Sequence, residues 1–460
     1  MITSSPKAIL IAGTHSGCGK TSVSLGLMAA LAGQGIRVQP FKAGPDFIDP
    51  GHHEAVTGES SHNLDGWMLD ADTVREIFAR RMQGRDVGIV EGAMGLFDGF
   101  SGTNEQGSAA QLAKILDIPV VLVVDAKGMG RSAAAIVKGY VTFDPELSFA
   151  GVIFNRVGST RHGELLRQAM ETSRPHVPVL GCLPKNDDLA INSRHLGLVM
   201  AHEMESITRT RELASWVDST MDVRKLANDL PPIALARFSC GIPCKPERVR
   251  VGVARDKAFC FYYRENLRAL EQAGATLVFF SPLEDTELPE NLNGLYLGGG
   301  YPELFASTLA DNSSMRDAIK AFSLADRPVY AECGGFMYLM KTLQDKEGTL
   351  HEMAGVFDCA CVMQNRFAAL GYREVTLAES SILGPEGSRF RGHEFHYSTM
   401  QETDALARNI YQTTDRKGPC PKSRGLLKYR TLGSYIHLHF GSNPDLAPSF
   451  VRACAGEKFS

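Results

Sequence analysis

Short, nearly unbroken apolar runs recur through the first half of the chain, each followed by a stretch whose apolar residues return every third or fourth position. The runs Ala8–Ala12, Val38–Phe41, Val87–Glu91, Val120–Val124, Gly151–Asn155 and Val179–Leu183 have the length and composition of strands buried on both faces. Thr21-Ser-Val-Ser-Leu-Gly-Leu-Met-Ala-Ala-Leu carries helical spacing instead. Alternation of the two predicts an α/β domain over residues 1–225, a mostly parallel sheet with helices on both faces. Over 226–248 the periodicity fails and proline accumulates, in Asn-Asp-Leu-Pro-Pro-Ile and Cys-Gly-Ile-Pro-Cys-Lys-Pro-Glu, so a linker is expected. A second α/β unit is expected over 249–445, opening on Val249-Arg-Val-Gly-Val-Ala and continuing with strands Thr276–Phe280, Gly294–Leu297 and Pro328–Glu332; residues 446–460 remain as a C-terminal tail.

Composition narrows the class. A chain of 460 residues exceeds one ordinary core, which agrees with two or three domains. Apolar residues make up 44% and charged residues 22%, the balance of a globular protein. With 48 basic against 52 acidic residues the net charge is −4, so no nucleic-acid partner is expected. No run approaches the ~18 apolar residues of a spanning helix, so no membrane partner is expected, and the first apolar run is accounted for as a strand rather than a secretory signal. The 10 cysteines are scattered, which suits reduced thiols and a cytoplasmic location. Cys240/Cys244 and Cys359/Cys361 lack a second pair at zinc spacing and are read as loop or packing cysteines.

The first strand breaks into Gly13-Thr-His-Ser-Gly17-Cys-Gly19-Lys20-Thr21 and then into the helical stretch. Strand, glycine loop and helix is the context of a phosphate-binding loop. Glycines let backbone N–H groups turn inward onto anionic oxygens, Lys20 reaches the terminal phosphates, and the Thr21 hydroxyl can hold Mg²⁺. Thr14 stands where the common pattern has its first glycine. Ligands of parallel sheets gather at the carboxyl ends of strands, which gives meaning to the polar residues just past each run. Lys42-Ala-Gly-Pro-Asp46-Phe47-Ile48-Asp49-Pro-Gly51 offers a phosphate ligand in Lys42, a metal ligand in Asp46 and substrate contacts in Asp46, Phe47 and Ile48. Glu91, ending a buried strand, is the expected partner of Thr21 in the Mg²⁺ shell, and Asp98 either assists it or faces the second substrate.

A second chemical centre is written in Pro328-Val-Tyr-Ala-Glu-Cys333-Gly334-Gly-Phe-Met-Tyr-Leu-Met, again strand, sharp turn and helix, with a cysteine at the corner. Flanking glycines permit the strained turn that lifts a nucleophile from a sheet, the helix N-terminus should lower the thiol pKa, and the Gly334 N–H can stabilise an oxyanion. Leu297-Gly-Gly299-Gly-Tyr-Pro-Glu303 is placed to supply another such donor, from Gly299. Near the end, Gly433-Ser-Tyr-Ile-His437-Leu-His439-Phe offers an imidazole to form a thiolate–imidazolium pair with Cys333; on a strand, His437 and His439 would share a face. In Phe390-Arg-Gly-His393-Glu-Phe-His396-Tyr397-Ser the HExxH spacing is absent, and the alternation reads as a strand with structural or domain-contact histidines.

The variant phosphate loop resembles that of dethiobiotin synthetase and its relatives, in which ATP activates a carboxylate and an asparagine at the place of Asn155 reads the adenine edge. GLYLGGGYPELFA, VYAECGG and SYIHLHF resemble the class I glutamine amidotransferase domain. That likeness implies attack of Cys333 on the glutamine amide with His437 as base; His439 stands where the family's glutamate would be, which implies a dyad. FKAGPDFIDPGHH, NLDGWML, VEGAMGLFDG, ECGGFMYL and FRGHEFHYS, in that order over nearly the whole chain, resemble the cobyrinate a,c-diamide synthase family of the cobalamin pathway. The resemblance implies conversion of the a- and c-carboxylates of cobyrinate to amides, through phosphorylated carboxylates and ammonia from glutamine, with both water and escaping ammonia excluded. The implied partners are cobyrinate, L-glutamine and ATP, with Mg²⁺ as cofactor and a homodimer allowed as the assembly. Hydrogenobyrinate and nickel-sirohydrochlorin are the alternative rings. A dethiobiotin synthetase would account for the first 220 residues only, and a partition-type ATPase would have no use for Cys333.

Overall fold

In the computed structural model the apolar runs of the first half become one parallel sheet. Its strands are β1 (Lys7–Gly13), β2 (Val38–Ala43), β3 (His62–Leu64), β4 (Val87–Glu91), β5 (Val120–Asp125), β6 (Phe149–Val157) and β7 (Val179–Pro184). They lie in the order β3-β2-β4-β1-β5-β6-β7, every pair parallel. The structure describes residues 5–173, 176–189, 207–235, 249–401 and 404–458. The chain divides into two compact units between Cys240 and Gly241. Cys240 and Cys244, with most of the stretch read as a linker, lie outside the described residues. That stretch begins inside a helix, Val223–Asp229, and Pro232 bridges back to Lys7 of β1.

The order places β1 between β4, reached by one direction of winding, and β5, reached by the other, so the chain reverses direction where the glycine loop leaves the sheet. Helix α1 (Lys20–Gly33) follows that loop and is apolar nearly all round because its flanks are covered by the sheet and by the helix Ile207–Asp218. Strand β3 was not expected: three residues are too few to show a period. Both tryptophans belong to this unit. Trp67 sits in a turn held by Asp65 Oδ1 and stacks on Phe100 at 5.2 Å. Trp216 donates its indole N–H to Pro184 O at 2.9 Å.

The second unit is built on the parallel strands Val249–Ala254, Ala275–Phe280, Gly294–Leu297, Val329–Glu332 and Thr431–Ser434. Two smaller, largely antiparallel sheets flank it, and they include Phe357–Met363, Ala369–Leu377, Arg389–His396 and Ile436–Leu438. Residues 446–460, read as a tail, contain the helix Leu446–Cys454, whose Leu446 and Phe450 are fully buried in the core of this unit. Among the described residues no helix is long and apolar enough to cross a membrane.

Candidate active site

The glycine loop is braced from outside. Gly17 and Gly19 adopt φ of 84° and 95°, the left-handed region that glycine enters without cost, and Gly19 caps α1. Tyr140 donates to Thr14 O at 2.5 Å, Arg156 to Gly17 O at 2.9 Å, and the Asn155 amide to Cys18 O at 2.9 Å. Fixing these carbonyls to protein donors is what a loop that offers its N–H groups to an anion requires. Asn155 is buried and its side-chain oxygen accepts from Arg156 N, so both polar ends are engaged with backbone. A Cβ on Gly19 would stand 2.1 Å from the Asn155 amide nitrogen.

Beneath the loop lies a buried charge network. Thr21 donates to Glu91 Oε1 at 2.7 Å, and Lys42 Nζ lies 2.9 Å from the same oxygen and 2.6 Å from Asp49 Oδ2. His53 meets Glu91 Oε2 at 2.7 Å and Ser61 at 2.9 Å. Burial would raise Glu91, but Lys42, His53 and Thr21 hold it well below the usual carboxylate range. Burial would lower Lys42, and Asp49 and Glu91 reverse that, so its pKa is raised. Lys20 is buried as well; burial lowers its pKa, which Glu91 and Asp49 oppose only in part, and it donates to His15 O at 3.3 Å. Sequence reasoning missed Asp49 and His53 as members of this network. They stand four residues apart on helix α2 (Asp49–Thr57) and therefore share its face, which is the sign that could have found them.

The other residues expected here are placed as follows. Asp46 closes the turn that leads into α2, its Oδ1 accepting from Ile48 N at 2.8 Å and Asp49 N at 3.2 Å, and Phe47 and Ile48 are half-buried in the same turn. Asp98 is exposed and accepts from Gly95 N at 2.9 Å, in a loop tied to the start of the glycine loop by Leu96 N donating to Gly13 O.

In the second unit Cys333 occupies φ 45°, ψ −104°, a strained position for a residue with a side chain, between the strand Val329–Glu332 and the helix Gly334–Leu339. Its N–H donates to Ser434 O at 2.7 Å, and Gly335 N donates to Gly298 O at 2.9 Å, so the glycine loop at 298–300 lies directly on the elbow. A Cβ on Gly299 would stand 2.3 Å from His437 Cε1; the glycine makes room for the ring. Gly299 was expected to supply an oxyanion N–H, but that N–H donates to Phe261 O at 3.2 Å. The backbone nitrogen of that loop closest to the elbow residue Gly334 is that of Gly300, 3.0 Å from where a Cβ on Gly334 would be.

Electrostatics at the elbow also differ from expectation. Burial pushes the Cys333 thiol up, with Glu303 adding to it, and the Gly334 N–H only partly opposes this. Burial pulls His437 down to about 3, with His393 and His396 in the same direction. Burial thus works against both charged forms of the expected thiolate–imidazolium pair. His439 keeps extended backbone just past the strand end at Leu438, its N–H donating to Arg391 O at 3.0 Å, and its Nδ1 accepts from Gly441 N at 3.1 Å to cap the next turn. Strand Arg389–His396 sets His393 opposite His437. His396 bonds Glu394 and Ser398 O and stacks on Tyr435 at 3.9 Å, a structural role. The residue missed here is Glu332, buried beside the nucleophile and 3.9 Å from His437 Nδ1.

Residues 9–198 match the family model described as the CobQ/CobB/MinD/ParA nucleotide binding domain, and residues 250–445 match the CobB/CobQ-like glutamine amidotransferase domain. Among curated proteins the chain is 45% identical over 456 residues to a cobyrinate a,c-diamide synthase of Syntrophotalea carbinolica, covering 98% of this chain and 99% of that protein. It is 43% identical over 460 residues to one of Priestia megaterium, covering 99% and 98%. It is 41% identical over 454 residues to one of Dehalococcoides mccartyi, covering 96% and 97%.

Proposed function

Because this chain belongs to the cobyrinate a,c-diamide synthase family, we propose that it amidates the a- and c-carboxylates of cobyrinate, with ATP activation in its first unit and ammonia release from glutamine in its second. The observation that carries this is the presence, in one chain, of a braced phosphate loop over the Thr21–Glu91–Lys42 network and a cysteine elbow against an imidazole.

In the first unit, ring carboxylate oxygen attacks the γ-phosphorus of ATP, giving an acyl phosphate and ADP. Ammonia then attacks the acyl carbon and phosphate leaves, so each amide consumes one ATP and one glutamine. Lys20 and the loop N–H groups hold the phosphates, and Lys42, kept charged by Asp49 and Glu91, offsets charge that builds on the transferred group. Thr21 and Glu91 place two hard oxygens side by side, a donor set that fits Mg²⁺ with its remaining ligands drawn from phosphate and water. Such an ion would neutralise phosphate charge. Asp46, Phe47, Ile48 and Asp98 border the ring, and Asn155 acts by keeping the loop in shape beside the adenine.

In the second unit Cys333 sulfur attacks the glutamine amide carbon while its proton passes to His437, and Gly334 and Gly300 N–H groups face the oxyanion. His437 returns the proton to the departing nitrogen as ammonia, and water releases glutamate from the thioester. Use of ATP fits a cytoplasmic location, and a homodimer is the assembly to be weighed by light scattering.

The test is ring-dependent ADP release with Mg-ATP and glutamine, offering cobyrinate, hydrogenobyrinate and nickel-sirohydrochlorin in parallel and weighing the products by mass spectrometry. Two amides gained on cobyrinate alone is the expected result. Preference for another ring reassigns the acceptor, and no stimulation by any ring removes it.

A further inference from the structure

The class I pattern orients its histidine with a carboxylate two positions downstream, and here His439 fills that position facing another turn, its ring against Tyr263 at 4.8 Å. A different carboxylate reaches His437. Glu332 is 1% exposed and ends the strand that carries Cys333. Its Oε1 accepts from Tyr330 at 2.7 Å and from Leu438 N at 2.9 Å, and its Oε2 accepts from Tyr296 at 2.9 Å. A carboxylate offers about four acceptor positions. Three are filled, and Oε2 lies 3.9 Å from His437 Nδ1. The bond from Leu438 N ties the carboxylate to the strand that carries the imidazole, so neither group can drift from the other without breaking it.

We propose that Glu332 is the positioning carboxylate of the glutaminase site, holding the proton of His437 on Nδ1, leaving Nε2 as the base toward Cys333, and stabilising the imidazolium once formed. Catalytic contacts are commonly long before substrate arrives and tighten afterwards, and 3.9 Å is within that range of closure. Burial disfavours either charge alone: it pushes Glu332 up to about 7 and His437 down to about 3. The proton that leaves Cys333 charges His437, and the Glu332 carboxylate, already ionised as the acceptor at Nδ1, offsets the cost of that buried imidazolium. The groups facing this pair are Tyr262, Tyr296, Tyr330 and Tyr411 around Glu332, and His393, His396 and Glu394 around His437.

This rests on Cys333 being the glutaminase nucleophile, so C333S is assayed alongside. In the full chain, E332Q is expected to lower kcat for glutamine about 100-fold with KM within about threefold, and E332D to recover to within about tenfold of the native chain. ADP release supported by ammonium stays unchanged in both, and the acid limb of kcat/KM is lost in E332Q. A purely structural carboxylate would not shift that limb. The proposal falls if E332Q keeps native kcat and pH profile, or if E332D is no better than E332Q. Should E332Q not fold, E332D decides alone: an acid limb that does not move overturns the role. A C333S chain that still hydrolyses glutamine would instead remove the nucleophile assignment, a distinct outcome.

Discussion

Lys42 bridges two buried carboxylates, so its loss would leave Asp49 and Glu91 facing each other without a cation. Lys42→Met should destabilise the first unit by about 3–5 kcal/mol, read as an earlier urea midpoint in tryptophan fluorescence, and abolish ADP release. A stable, active variant would show that the network does neither task. Cys333→Ser should end glutamine use and leave ammonium-supported amidation intact, whereas Lys20→Ala should end amidation with either nitrogen source; loss of both activities in Cys333→Ser would undo the division of labour. At this scale the sequence disclosed residues whose neighbours constrain them. Lys20, Thr21 and Cys333 stand between glycines or at a strand end, and their chemistry follows from that setting. Glu332 was invisible because its meaning depends on a backbone N–H 106 positions later, and Gly299 was misassigned because only the fold shows that its N–H is spent on Phe261.

Among elements, the parallel strands other than β3 and Thr431–Ser434 were legible because burial on both faces leaves an unbroken apolar run, and their ends fell within two residues of expectation. The ribbons between Phe357 and Leu438 were mostly not. Their faces alternate, as in Phe357–Met363, and polar residues on the open face dilute the pattern over short lengths. The loop at 298–300 couples two such elements, since the ring of His437 occupies the space a side chain at 299 would need. Gly299→Ala must therefore displace His437 and is expected to cut glutaminase kcat at least about tenfold while leaving ammonium-supported turnover unchanged; native glutamine kinetics in this variant would mean the ring has room to spare.

Over the whole molecule, the second unit carries an acid weakness. His439, fully buried, is pulled down to about 4 by burial, against an ordinary 6.5. The unfolded chain thus takes up the proton first, and stability present above pH 6.5 is lost as pH falls toward 4. Glu332, pushed up to about 7, works the other way: it favours the fold below the ordinary carboxylate pKa, and that contribution is lost as pH rises through 7. His439→Gln should lose about 2 kcal/mol less stability than the native chain between pH 7 and pH 5, measured by urea unfolding in circular dichroism. An equal loss would place the acid weakness elsewhere.

Trp67 and Trp216 both stand in the nucleotide-binding half. Tryptophan emission is consequently a private channel of that half: the glutaminase half could melt in acid without dimming it. By the same token, any change in emission on adding glutamine alone would be news that has crossed from one half to the other.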